Sequence, residues 1–286
     1  RLPKLYRDFN KDELNVQYNA QATVGDIKPF LTEYATLSSK AKSTLDCREN
    51  ISFGSSSEET LDLFPAGEKA PLFIFIHGGY WRMLSKNESS FMAMNFVDHG
   101  IAVAAVNYTL RPHANLNQIV AEVRRSVAWL YDNSSFCKID PDRIFVGGSS
   151  AGGHLAGMLV SGGWQKEHGL PEEVIKGGLL LSGLYDLEPV ALSYANEWLN
   201  IDKAAAIRNS PVNFLPEKGC RLILSYGGSE TAEFKRQSVS YAANWRAAGF
   251  MADCFELSHR NHFNIPLELC QKGSYLTQKT LDLIEP

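Results

Sequence analysis

Ser150 stands in Gly148-Ser149-Ser150-Ala151-Gly152, a G-x-S-x-G pattern. A serine hydroxyl becomes a useful nucleophile only when a base can take its proton and the hydroxyl is presented on a sharp turn. The pattern alone is weak, since a chance match somewhere in 286 residues has a probability of about 0.1. Context strengthens it. Arg143–Gly147 reads as a strand and residues 151–160 as a helix, so Ser150 falls on a strand-to-helix turn with the helix N-terminus beneath it.

A serine nucleophile needs a base, an acid and donors for the oxyanion. His77-Gly78-Gly79-Tyr80-Trp81 follows an apolar strand, and its glycines would let backbone N–H groups of Gly78 and Gly79 approach a substrate oxygen together with that of Ala151. Glu230 closes Gly227-Gly228-Ser229-Glu230 after a later strand, and His262 follows the last strand. Nearby His259 competes with His262 for the role of base. The apolar stretch that opens with Phe263 favours His262. Asp186, after the strand before Glu230's, competes as the acid, although an aspartate there could instead cap a helix beginning near Pro189. A zinc site at His259-x-x-His262 would lack the glutamate and the third ligand it needs. No metal and no other cofactor is expected.

The elements that must hold these groups follow from hydrophobic patterning. Short alternating segments at Arg48–Phe53 and Thr60–Phe64 precede apolar runs at Leu72–Ile76, Ile101–Val106, Ile144–Val146, Gly178–Leu181, Leu222–Ser225 and Met251–Leu257. Helix-like stretches at 85–98, 116–132, 151–160, 233–248 and 272–284 separate or follow them. Apolar strands alternating with helices predict an α/β protein whose eight-stranded, mostly parallel sheet is covered on both faces. Nucleophile after strand five, acid after strand seven and histidine after strand eight is the order of the α/β-hydrolase fold. We expect one domain over residues 1–286. Residues 1–46 form a helical arm, and residues 187–215 form a small cap over the site.

Composition narrows the partners. With 28 Lys and Arg against 32 Asp and Glu, the net charge is −4, so nucleic acid is not an expected partner. No apolar run approaches the ~20 residues of a membrane span, and no signal peptide is expected. Five scattered cysteines without a CxxC pair read as reduced thiols in a cytoplasmic protein. The expected partner is a small-molecule substrate, and the sequence leaves room for a homodimer.

The chain resembles the kynurenine formamidase (arylformamidase) branch of the hormone-sensitive-lipase-like α/β-hydrolases. The resemblance is carried by Gln17-Tyr18-Asn19, His77-Gly78-Gly79-Tyr80-Trp81, Gly147 to His154, Ser182 to Pro189, Glu233 to Ser238, and His262-Phe263. It implies Ser150, Glu230 and His262 as catalytic triad, with Gly78, Gly79 and Ala151 as oxyanion donors. The family's animal members carry aspartate at the acid position, and Glu230 departs from that. The implied reaction is hydrolysis of small-acyl aryl amides or esters, N-formylkynurenine or an analogue, through an acyl-enzyme. Tyr80 and Trp81 would either shorten the acyl pocket or simply pack into the core, while Tyr185 and Trp198 would offer an aromatic wall to the leaving group. The alternatives are a short-chain carboxylesterase with a different dedicated substrate, and a catalytically dead ligand-binding fold. Retention of serine, acid and histidine disfavours the last.

Overall fold

A computed structural model describes residues 2–286. Its centre is one sheet of eight strands: β1 (Arg48–Ser52), β2 (Thr60–Phe64), β3 (Ala70–Ile76), β4 (Ala102–Val106), β5 (Ile139–Ser149), β6 (Ile175–Leu181), β7 (Arg221–Gly227) and β8 (Ala252–Leu257). Their spatial order is β1-β2-β4-β3-β5-β6-β7-β8. The first two strands run antiparallel at one edge, and every pairing from β4 through β8 is parallel. The eight-stranded, mostly parallel sheet expected from the sequence is therefore present.

The alternation of side chains along each strand builds two cores. Leu72, Ile74 and Ile76 of β3 enter the layer on one face, and Phe73 and Phe75 enter the other. Helix Leu116–Asp132 serves the first face, burying Leu116, Ile119, Val120, Val123, Val127 and Leu130 along one stripe. Its start is fixed by a reciprocal cap between Asn115 and Gln118. Helix Ala151–Val160 is buried at every position against the same face. Helices Lys28–Thr44, Ala93–Asp98 and Tyr275–Ile284 contribute to the opposite one.

The single helix expected at 85–98 is instead a 3-10 turn, Lys86–Glu88, followed by helix Ala93–Asp98. Buried polar ties to other elements explain the break. The Lys86 ammonium lies 2.9 Å from Asp62 on β2, the Lys86 backbone N–H donates to Asn107, and the Ser90 N–H donates to the Ser38 hydroxyl. These fix the segment as a 3-10 turn and loop ahead of the helix.

Because the strands are parallel, the loops after β3, β5, β6, β7 and β8 emerge along one edge. The N-terminal segment supplies helices Lys11–Tyr18 and Lys28–Thr44. Tyr18 donates to Glu233 at 2.9 Å, and the Tyr34 hydroxyl donates to the carbonyl of Phe263, so both helices dock beside that edge. Residues 187–215 form three short helices, Glu188–Leu192, Asn196–Leu199 and Lys203–Arg208, and a 3-10 turn at Pro211–Asn213. No helix among the described residues is long and apolar enough to cross a membrane.

Candidate active site

Ser150 follows β5 at the N-cap position of the next helix with φ +58 and ψ −118, a left-handed conformation that costs a non-glycine residue roughly 1–3 kcal/mol. Its surroundings hold it there. Ser150 N–H donates to the Leu181 carbonyl at 2.8 Å, and its own carbonyl accepts from His154 at 3.0 Å. A methyl group at Gly152 would sit 1.9 Å from the Ile76 carbonyl oxygen, and one at Gly148 would sit 2.1 Å from that of Gly152. Gly152 is thus required by close packing of the turn against β3, and Gly148 by the closeness of the turn to its own following helix.

The Ser150 hydroxyl lies 2.9 Å from Nε2 of His262, and Nδ1 of His262 lies 2.5 Å from Oε1 of Glu230. With Nδ1–H donating to the carboxylate, Nε2 is free to accept the serine proton, which is the tautomer a general base needs. His262 and Glu230 are both buried. The imidazole stands edge-on to Phe234 and Phe263 at centroid distances of 4.7 and 5.1 Å. Its loop is pinned by the Asn261 side chain, which accepts from Phe263 and Asn264 N–H.

The competing residues are occupied elsewhere. His259 pairs with Glu268, 2.7 Å away, on an exposed side of the loop. It does not meet His262 at a common ligand position, and among the described residues no cluster of His, Cys, Asp or Glu could hold a metal. Asp186 accepts from Glu188 N–H at 3.1 Å in a turn just before helix Glu188–Leu192, whose N-cap position is taken by Leu187 rather than by the aspartate expected there. Glu230 is the carboxylate that reaches the imidazole.

Gly78 sits against Ser150: a methyl group there would lie 3.3 Å from Ser150 Cβ. Gly79, Tyr80 and Trp81 follow with φ of +111, +53 and +60, three consecutive left-handed residues. Such a turn persists only when its neighbours over-determine it. Here Tyr80 Oη donates to the Tyr18 carbonyl at 2.6 Å, Trp198 Nε1 donates to the Tyr80 carbonyl at 2.9 Å, and Trp81 Nε1 donates to His154 Nδ1 at 3.2 Å. Among the described residues, the loop hydrogen bonds leave the N–H groups of Gly78, Gly79 and Ala151 without a partner. His77 stays neutral: burial pulls its pKa down to about 4, while its Nδ1–H donates to the Gly78 carbonyl.

A cavity of about 70 Å³ opens beside Ser150 and His262. Tyr80 lines it. Trp81, Tyr185 and Trp198 do not, which corrects the roles expected for them. Trp81 is fully buried behind the turn against His154, and Tyr185 is stacked on Tyr241 at 4.5 Å beneath the site. Trp198 is held between the Tyr80 carbonyl and the Arg82 guanidinium, 3.5 Å over its ring. The aromatic wall comes instead from Tyr34, Phe75, Phe91 and Phe263, with Ala20, Ile27 and Leu31 of the N-terminal segment closing it. No residue of 187–215 lines this cavity. The expected covering over the site is supplied by the arm. The Leu31 and Tyr34 spacing within a helix was the available signal for this.

Comparison with known proteins gives a consistent outcome. A family model described as BD-FAE matches residues 61–176. A kynurenine formamidase of Salmo salar is 33% identical, with 98% of each chain covered, and one of Danio rerio is 31% identical over 98% of each. A solved structure from Silicibacter sp. TM1040, provisionally titled a thioesterase, superposes with a TM-score of 0.82 at 28% identity, covering 96% of this chain and 99% of that one. An esterase from Pyrobaculum calidifontis superposes with a TM-score of 0.73 at 16% identity, covering 90% and 91%, which bears on the fold alone.

Proposed function

This chain belongs to the kynurenine formamidase family of α/β-hydrolases, and we propose that it hydrolyses aryl formamides of the N-formylkynurenine type through an acyl-enzyme on Ser150. The observation that carries the proposal is the hydrogen-bonded series from Ser150 Oγ through His262 to Glu230.

In the proposed mechanism His262 Nε2 takes the Ser150 proton as Oγ attacks the formyl carbon. Glu230 keeps the imidazole in its productive tautomer and stabilises the imidazolium. The tetrahedral oxyanion forms against the unspent N–H groups of Gly78, Gly79 and Ala151, each donor worth about 3 kcal/mol in such sites. His262 then protonates the departing aniline nitrogen. Water enters, and the same histidine deprotonates it to release formate and free Ser150. An aniline leaves more readily than an alkyl amine, so an esterase-like machine suffices for this amide. The aryl ring would rest in the cavity among Tyr34, Phe91 and Phe263. The five unpaired cysteines fit a reducing compartment, and we place the protein in the cytoplasm.

The test is kinetic. N-formylkynurenine is compared with p-nitrophenyl esters from acetyl to octanoyl at matched concentrations. The proposal expects kcat/KM for the formamide to equal or exceed that for the best ester, and a decline from acetyl to octanoyl. Formamide turnover at background, beside efficient ester cleavage, would assign the protein as a carboxylesterase instead.

A further inference from the structure

We propose that Ser182 is a positioning residue for the acid of this site, acting on the serine chemistry through Glu230. The inference rests on the proposed roles of Ser150, His262 and Glu230.

A glutamate in this role brings a difficulty that an aspartate does not. Its extra methylene adds a rotatable bond, so an unrestrained carboxylate spends part of its time away from the imidazole and loses rotamer entropy when fixed. The structure contains a device that removes this freedom. Oε1 of Glu230 faces His262, and Oε2 accepts two short hydrogen bonds at 2.6 Å each, from the Ser182 hydroxyl and from Gly227 N–H. The Gly227 contact comes from Glu230's own turn, in which Glu230 N–H also donates back to the Gly227 carbonyl. The Ser182 contact is different, because it reaches across from another strand. It fixes the carboxylate plane relative to the sheet, which a local turn cannot do.

Three features indicate that Ser182 is built for this. Its side chain is fully buried and has this one partner among the described residues. Its backbone is left-handed, with φ +48, an uncommon state for serine, and is held there by donation of its N–H to the Ser225 carbonyl at 2.9 Å. The residue before it, Leu181, accepts from Ser150 N–H. The end of β6 therefore grips the nucleophile's backbone with one residue and the acid's carboxylate with the next. Here that strand end supplies a donor to the acid on the neighbouring strand.

The experiment uses p-nitrophenyl acetate, so that its outcome does not depend on which physiological substrate is correct. Ser182→Gly removes the hydroxyl while accepting the left-handed backbone, and Ser182→Ala is made beside it to separate loss of the hydroxyl from relief of strain. Thermal melts establish that each variant is folded. Loss of a hydrogen bond to a buried charged group predicts a fall in kcat on the order of 10- to 100-fold, with KM changed less than about threefold, in both variants. The decisive step is a cycle with Glu230→Gln: if Ser182 acts through the carboxylate, adding Ser182→Gly to Glu230→Gln should change kcat less than about twofold. Wild-type kcat in a folded Ser182→Gly protein would overturn the proposal. So would a full multiplicative loss in the double variant, or a defect confined to KM. If one Ser182 variant does not fold, the other decides between the same outcomes. If neither folds, the hydroxyl serves the fold and the positioning role is rejected.

Discussion

The indole N–H of Trp81 donates to Nδ1 of His154 at 3.2 Å, and both rings are fully buried. The contact joins the turn after β3 to the second turn of the helix that begins at Ser150. His154 completes the link by donating from Nε2 to the Asn209 carbonyl at 2.7 Å. The left-handed turn at Gly79-Tyr80-Trp81 and the helix that follows Ser150 are thereby fixed relative to one another.

Replacement of Trp81 tests whether it is an anchor or a pocket wall. Trp81→Phe leaves His154 Nδ1 buried without a partner, which should lower stability by about 1–3 kcal/mol in urea unfolding. Because Trp81 lies behind the turn, the order of preference among acetyl, butyryl and octanoyl esters should not change. A shift toward longer acyl chains would place the indole in the acyl pocket after all.

The two buried histidines make stability depend on pH. Burial holds His77 and His154 neutral, each with its pKa lowered to about 4. In the unfolded chain both titrate near 6.5. Their contribution is therefore complete above pH 6.5 and is lost progressively as the pH falls toward 4, where the unfolded chain binds protons that the folded chain excludes. By pH 5 the loss should reach roughly 2 kcal/mol per histidine. Urea midpoints at pH 7.5, 6.5 and 5 would reveal it, and a flat profile over that range would contradict the neutral, buried assignment.

The cavity supports a steric test. Leu31 is partly exposed and borders the cavity from the N-terminal segment. Leu31→Trp should fill much of the ~70 Å³ and lower kcat/KM for aryl formamides tenfold or more. Covalent labelling by a small fluorophosphonate should persist, since the serine and its base are untouched. Unchanged formamide kinetics would mean that the aryl group binds elsewhere.

The acid is tested by a pair of isosteric changes. Glu230→Gln should lower kcat about 10⁴-fold by destabilising the productive imidazole tautomer. Asp186→Asn, which removes only a charge at a helix start, should retain most activity. Reversal of the two results would move the acid to the loop after β6.

What the sequence made legible was whatever depends on a strand end and its next few residues. Ser150, Glu230 and His262 each follow a run that patterns as a strand, and parallel strands deliver those ends to one edge. The orientation of side chains in the loops was less accessible. Tyr80 and Trp81 are neighbours in sequence, yet only Tyr80 lines the cavity, because the left-handed backbone at both positions turns the indole inward. Contacts made over long sequence separation were hidden altogether. Tyr34 reaches Phe263 across 229 positions and Ser182 reaches Glu230 across 48, with no local pattern to announce either. The helix expected at 85–98 failed for a related reason: its apolar content suited a helix, but Lys86 is committed to Asp62 on the sheet.

The most direct measurement of the central claim is the site of covalent capture. The purified protein is treated with a fluorophosphonate at neutral pH, digested, and the adduct is mapped by tandem mass spectrometry. The account predicts stoichiometric modification of Ser150, loss of labelling in Ser150→Ala, and labelling much slowed in His262→Ala. Modification at Ser149 or elsewhere, or undiminished labelling of Ser150→Ala, would contradict it.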